Sequence, residues 1–287
     1  MKILPCLPIW LALGLPLAVM TPLPGQTPAP DADVVASPRP MVMEAMRLQK
    51  AYGKVITYED PVWAWRGEMR PFGPNFSPLP LSFTRPAEVD SEPDAETALR
   101  KTLDAYHQQT AGPRFQIVAS KWGLHLIPAQ MRDENGRLAK ATNPLDAHVN
   151  VPQQERSATE HFRELCATLS SFLNMKIKYF DGSIALNGET AFEQHFAAQP
   201  VHFTWGTNGM AARDAILDLL ERSATTYSWQ FLCEDASTPQ ARLCVLNITQ
   251  VEVTKSDSSG RPYNAVLEWD RCPSCAPSFP PRRPQKQ

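Results

Sequence analysis

The sequence lacks the short motifs that would assign it a reaction. It contains no Gly-x-Ser-x-Gly nucleophile turn and no glycine-rich phosphate loop. The six histidines are scattered, and no two of them show the helical spacing of a metal motif. Structural zinc would need a second pair of ligands beside Cys272 and Cys275, and the sequence offers none at ligand spacing. We therefore expect no catalytic residue, no cofactor and no metal site.

An excess of charge of one sign is also lacking. The chain has 28 Lys and Arg residues against 30 Asp and Glu residues, a formal net charge of −2. This balance predicts no general attraction to nucleic acid or to acidic membrane surfaces. A length of 287 residues, of which 43% are hydrophobic, is enough for one or two domains with a real core.

Residues 1–26 have the pattern of a secretory signal peptide. A basic residue precedes an apolar run at 3–20, and a plausible cleavage region follows it. Prolines interrupt the apolar run, which favours a cleaved signal over the alternative, an N-terminal membrane anchor. We expect an exported protein, periplasmic or extracellular, with no membrane span after signal removal. Residues 27–40, rich in Pro, Ala and Asp, are predicted to be a linker.

The clearest structural pattern lies in residues 157–255. Ser157 and Glu160 have the spacing of a capping box, and an apolar stripe that includes Cys166 follows at helical spacing. Next come strand patterns at 175–179 and 201–205, a loop at 206–209, a second helical stripe around 212–220, and strands at 227–233 and 242–248 that can pair as a hairpin. We predict a small α+β module.

Residues 41–128 repeat this order more faintly. A helical stripe begins at Met41 and ends at Gly53, a strand follows at 55–58, and a second helix leads into two strand patterns that end at residue 127. We therefore predict an α+β fold made of two similar small modules, each with two helices packed on a small mixed or antiparallel sheet. The alternative is chance, because amphipathic helices and strands resemble one another.

The other segments lie within, between or after the modules. Residues 61–93 are rich in prolines and aromatics and are predicted to be an irregular insertion in the first module. Residues 129–156 are predicted to be a connector with a lead-in strand, and residues 256–287 a C-terminal strand and a Pro-rich tail.

The phrase from Met43 to Asp60 resembles the short N-terminal domain of secretins and TonB-dependent transducers. Residues 214–220, followed by the hairpin that starts at Tyr227, resemble it too. In that family a helix, a glycine and a hydrophobic-x-Tyr strand precede a second helix and a short hairpin. The resemblance implies a periplasmic α+β interaction module. This sequence departs from the family because residues 61–93 are longer than the usual link, and no apolar barrel or pore segment follows within the 287 residues.

The cysteines allow disulfides in an exported chain. Cys233 and Cys244 face each other across the predicted hairpin, so they are either a cross-strand disulfide or two buried apolar residues. Cys166 is expected in the core. Cys272 and Cys275 form a Cys-x-x-Cys motif, but no strand precedes it and no helix follows it. A small or intermolecular disulfide is therefore the alternative to a redox centre.

Aromatic and acidic residues supply the last candidates. Trp63, Trp65 and Phe72 are able to line a groove for a glycan or a peptide, or they pack beneath their own loop. Glu59 and Asp60 follow a predicted strand, where solvated turn residues are the usual case.

Three functional hypotheses follow. The first is a non-enzymatic exported interaction or envelope-assembly module whose sheet edges receive strands of an envelope or secreted protein. The second is an exported thiol–disulfide oxidoreductase that uses Cys272 and Cys275. The third is a glycan or peptide binder that uses Trp63, Trp65 and Phe72. The sequence determines neither the partner nor the oligomeric state.

Overall fold

The computed structural model describes residues 33–72, 75–181, 202–223, 226–234 and 242–267. Within them the chain has the α+β fold that the sequence predicts. The α-helices are α1 (Pro40–Tyr52), α2 (Ala95–Gln109), α3 (Ala158–Leu173) and α4 (Ala212–Leu220). The strands are β1 (Val34–Ser37), β2 (Ile56–Glu59), β3 (Met69–Phe72), β4 (Asn75–Pro78), β5 (Leu81–Thr84), β6 (Arg114–Ala119), β7 (Leu124–Arg132), β8 (Leu138–Lys140), β9 (His148–Ser157), β10 (Lys176–Asp181), β11 (His202–Ala211), β12 (Tyr227–Glu234), β13 (Leu243–Gln250), β14 (Glu252–Ser256) and β15 (Pro262–Val266).

Local sequence explains where the helices begin and end. α1 has Pro40 in its first turn, where a missing backbone donor costs nothing, and it ends at Gly53 with φ +60°. The predicted capping box of α3 is confirmed: the Ser157 hydroxyl accepts from the Glu160 amide, and the Glu160 carboxylate accepts from the Ser157 amide. α3 ends at Asn174, which has φ +51°.

The largest sheet runs through both halves of the chain. Its strand order is β10–β13–β12–β2–β7–β6, and β8 also pairs antiparallel with the end of β7. β10 is parallel to β13, and β2 is parallel to both β7 and β12. β12–β13 and β6–β7 are antiparallel hairpin pairs. The half that begins at β1 and ends at β7 is here called the first unit, and the half that begins at β9 and ends at β13 the second unit.

Each unit also has a separate two-stranded ladder. β1 pairs antiparallel with β5, and β9 pairs antiparallel with β11. The loop predicted at 206–209 is instead part of β11, whose register with β9 shifts at two bulges. Gly206 permits the strands to approach there, because a Cβ at this position would lie 2.6 Å from the Gln153 backbone.

The two helix pairs pack on opposite faces of the shared sheet. Tyr58 lies in the core cluster formed with α1 and α2, whereas Phe231 lies in the cluster formed with α3 and α4. In the parallel β2–β12 register, Tyr58 pairs with Gln230, and Glu59 pairs with Phe231. Paired residues share a face and successive residues alternate, so Tyr58 and Phe231 point to opposite faces.

Three segments differ in detail from the sequence predictions. The predicted linker at 27–40 contains β1, because Val34 and Val35 are strand formers that find a partner in β5. The predicted insertion at 61–93 contains the β3–β4 hairpin and β5. The C-terminal strand begins at Glu252, and β14 pairs with β15 as a ribbon beside the end of α1. The Pro-rich tail lies outside the described residues.

No helix in the described ranges is both long and apolar enough to cross a membrane.

Candidate functional site

The first candidate site lies at the contact between the two units. β12 of the second unit pairs with β2 of the first over two residue pairs, and the Asp60 amide donates to the Phe231 carbonyl at 2.7 Å. We call this short parallel junction and its flanking ion pairs the seam. The edge of β2 that faces away from β7 thus pairs with β12, a strand of the second unit.

One ion-pair cluster at the seam centres on Asp60. The Arg39 Nε atom donates to the Asp60 carboxylate at 2.6 Å, and another Arg39 nitrogen donates to the Cys233 carbonyl at 2.8 Å. Asp60 also accepts from the Cys233 amide at 2.8 Å and from the Tyr58 hydroxyl at 2.7 Å. Burial, reinforced by the Asp60 charge, raises the pKa of Tyr58 well above its ordinary value. The fully buried Asp60 therefore joins β2 to β12 through charge-assisted hydrogen bonds.

A second cluster centres on Glu59. Arg213, in the first turn of α4, donates to both Glu59 oxygens at 2.6 and 2.7 Å, and to Asp146 at 2.6 Å. Burial raises the pKa of Glu59, and the Arg213 contact opposes that rise. The expectation that Glu59 and Asp60 are solvated turn residues is wrong, because both are buried at the seam.

His125 also crosses the seam. Its ring stacks on Trp229 of β12 with centroids 5.3 Å apart, and its nitrogens lie 2.9 Å from the Thr57 hydroxyl and 2.7 Å from the Ser120 hydroxyl. Burial, helped by the Arg213 charge, lowers the pKa of His125 to about 4. A ring with so low a pKa is a poor base at neutral pH, so this arrangement favours packing over proton transfer.

The large sheet ends at β10 on one side and at β6 on the other. Among the described strands, none pairs with the outer edge of β10. On β10, Ile177 is buried in the core, whereas Lys176, Lys178 and Phe180 are exposed, Phe180 by 56%. The β10 edge is therefore a candidate strand-binding surface with two lysines and one phenylalanine on its outward face.

The sequence-predicted cysteines are placed as follows. Cys233 and Cys244 pair in register across β12 and β13, with their sulfur atoms 2.11 Å apart, which is a disulfide distance. Cys166 is in the core, as expected. Cys272 and Cys275 lie outside the described residues, and so the proposed redox motif stays a prediction.

Two of the three predicted groove residues line a common cavity. Trp63 and Trp65 line a cavity of about 270 Å³ between the 61–81 segment and the α2–β6 connection. Glu68 and Arg132, which the sequence did not single out, line it too. The side chain of Phe72 lies outside the described residues. Among the residues that the structure describes, no group of three or more His, Cys, Asp or Glu side chains is arranged to hold a metal ion.

No protein-family model, curated protein or solved structure matches the chain.

Sequence reasoning missed the charged residues of the seam for a specific reason. The partners of Glu59 and Asp60 are Arg213 and Arg39, and the first of these is 154 positions away. A single sequence does not distinguish a buried carboxylate from an exposed one, because burial depends on a partner that only the fold brings near. The one local signal is that Glu59 and Asp60 directly follow the strand predicted at 55–58, and the same position is typical of a turn.

Proposed function

We propose that this chain is an exported, non-enzymatic protein-interaction module that receives an extended segment of an envelope or secreted partner along β10. The seam is the single observation that carries the proposal. β2 follows α1 and is parallel to the return strand of the β6–β7 hairpin, while β10 follows α3 and is parallel to the return strand of the β12–β13 hairpin. The outer edge of β2 accepts a parallel strand, so the corresponding edge of β10 is fitted to do the same.

The composition of the β10 edge supports a particular kind of partner. Edge lysines oppose uncontrolled pairing between sheet edges, since two such edges repel each other. Lys176 and Lys178 beside Phe180 therefore favour a segment that brings carboxylates and apolar side chains to the same face. The proposed partner is an extended segment of another protein in which every second residue is acidic or apolar, so that the acidic and apolar side chains lie on one face, opposite Lys176, Lys178 and Phe180.

We further propose that the two units arose by duplication of one module of the type found at the N-termini of secretins and TonB-dependent transducers. Two observations support this. Among the described residues, and apart from the β3–β4 hairpin of the first unit, both units have the order strand, helix, strand, strand, helix, hairpin; the first strand pairs antiparallel with the strand before the second helix, β1 with β5 and β9 with β11. In each unit the second strand is parallel to the return strand of the hairpin.

Site-specific photo-crosslinking in producing cells tests the proposed function. A photoreactive residue at position 178, on the β10 edge, should give one covalent adduct of defined size. Phe180→Asp should remove that adduct, because it places a charge on the contact face. The matched control carries the same residue at position 255, an exposed lysine on β14. An adduct at neither position, or the same adduct at both, would contradict the proposal.

A further inference from the structure

A second surface of the chain, the cavity beside Trp63 and Trp65, is independent of the β10 edge. Its volume of about 270 Å³ lies just below the roughly 300–1,000 Å³ of drug-sized ligand sites. It therefore holds about one ring-sized unit and not a long extended segment. Apolar walls are supplied by Leu79, Pro80, Leu81 and Pro113.

Trp65 is held in a defined position at the cavity wall. A Cβ on Gly67 would lie 2.4 Å from the Trp65 ring, and a Cβ on Gly136 would lie 3.0 Å from it. Only glycine permits such close packing against the ring at position 67. The Arg132 guanidinium lies 5.2 Å from the ring centroid. The indole is thus fixed before any ligand arrives, which lowers the entropy cost of binding.

Three side chains of the cavity have buried polar atoms without a hydrogen-bond partner among the described residues. The Trp63 indole N–H is buried without an acceptor. Arg132 Nε lies 3.2 Å from a Glu68 oxygen, but its N–H is not aligned for a hydrogen bond, and neither Glu68 oxygen accepts one. Burial raises the pKa of Glu68, and Arg132 opposes the rise. Buried polar groups without partners are costly, so a ligand that satisfies them is favoured.

The charges of the cavity select the class of ligand. An anionic ligand would be repelled by the Glu68 carboxylate. A cationic ligand would either displace Arg132 from Glu68 or be repelled by the Arg132 charge. A neutral ligand avoids both costs. It must donate to Glu68 and accept from Trp63 and Arg132, and a hydroxyl group does both because it carries one donor and two acceptor lone pairs.

We propose that this cavity binds one neutral hexopyranose unit of a glycan. Neighbouring ring hydroxyls place donors and acceptors on the same side, where Glu68 and Arg132 lie together. The C–H face of the ring matches the Trp65 indole, which is apolar on its face. Peptide amides also donate and accept, but in an extended chain they point to opposite sides of the backbone, and a half-enclosed cavity of this size admits little of that backbone.

Titration of the purified full-length chain with neutral saccharides tests the site. The probes are glucose, galactose, mannose and N-acetylglucosamine, each up to about 100 mM, because a single ring of this size reaches only about millimolar affinity. Saturation-transfer NMR and tryptophan fluorescence report binding. We expect at least one of the four sugars to bind with a dissociation constant of about 1–10 mM.

Two conservative variants locate the site. Glu68→Gln keeps the shape and removes the charge, and Trp63→Phe keeps an aromatic ring in the core while it removes the N–H. Each should weaken saccharide binding by about tenfold, as the loss of one buried polar contact does. Glu134→Gln, at an exposed position close in sequence to Arg132, should leave it unchanged. Circular dichroism and thermal melts show that each variant is folded.

Three results would overturn the saccharide site. The first is no response to any of the four sugars at about 100 mM. The second is binding that neither Glu68→Gln nor Trp63→Phe weakens. The third is a short proline-rich peptide that loses affinity in Trp63→Phe and binds at least about tenfold more tightly than any of the four sugars, which would make the cavity a peptide site. Since crosslinking at position 178 does not involve these residues, failure here is distinguishable from failure of the proposed function.

Discussion

At the scale of single residues, Cys233 and Cys244 lie at disulfide distance on paired strands. In the oxidising compartment that we propose, peptide mapping of unreduced protein should recover a Cys233–Cys244 cross-linked fragment. Replacing both cysteines by serine should lower the free energy of unfolding by about 2–3 kcal/mol, because a bridge restricts the unfolded chain. Urea denaturation of the two proteins measures the difference.

Cys166 provides the internal control for that mapping. It is 2% exposed, and burial raises the pKa of its thiol to about 12. A buried, protonated thiol is a poor nucleophile, so Cys166 should be alkylated only after unfolding. Alkylation of Cys233 and Cys244 in native, unreduced protein would contradict the bridge.

His125 predicts a defined loss of stability in acid. Its pKa is about 4 when folded against an ordinary 6.5, so the unfolded chain binds the proton more readily between these values. Above about pH 6.5, His125 is neutral in both the folded and the unfolded chain, so it does not lower the free energy of unfolding. As the pH falls to about 4, the unfolded chain binds the proton first, and the free energy of unfolding falls by about 3 kcal/mol. His125→Gln should flatten the fall in unfolding free energy over this range. The exposed His148→Gln is the control, and an equal slope in wild type and His125→Gln would refute the assignment.

At the scale of elements, the cap of α3 is testable. Ser157→Ala removes the hydroxyl that accepts from the Glu160 amide and should cost about 1 kcal/mol of unfolding free energy. Glu160→Ala removes the reciprocal hydrogen bond at 2.8 Å. Since the two bonds share one helix end, their effects should not add in the double variant. Thermal or urea unfolding of the three variants measures this, and strict additivity would show that the two side chains act separately.

The elements themselves were predicted with uneven success, for a physical reason. α3 begins and ends where predicted, because capping residues act within one turn of the chain. β11 was predicted only up to residue 205, because glycines at 206 and 209 indicate a turn when no partner strand is known. In the structure β9 is that partner, and the two glycines lie at bulges where the register of β11 with β9 shifts.

At the scale of the whole molecule, Arg213 joins the two units. Arg213→Ala leaves the Glu59 carboxylate buried without its cation, which should lower the unfolding free energy by about 3–5 kcal/mol at neutral pH. The loss should shrink as the pH falls, because Glu59, whose pKa burial already raises, then binds a proton. Adding Glu59→Gln to Arg213→Ala should recover part of the stability. Urea denaturation at neutral and acid pH measures each difference.

Arg100→Ala is the matched control for Arg213→Ala. Arg100 forms an exposed i,i+4 pair with Glu96 on α2, and such pairs contribute only about 0.3–0.5 kcal/mol. Equal losses in Arg100→Ala and Arg213→Ala would mean that the seam is not stabilised by its buried ion pair.

The sequence by itself determined those features of the protein that depend on interactions between residues close together in the chain. The α+β class, the caps of α1 and α3, and the opposition of Cys233 and Cys244 follow from hydrophobic period, turn chemistry and hairpin register. Tertiary structure alone decided that β2 pairs with β12, that Glu59 meets Arg213, and that Glu68 and Arg132 share a cavity with the tryptophans. These contacts join residues far apart in the chain, where neither periodicity nor propensity carries information, because only the packed fold brings such residues together.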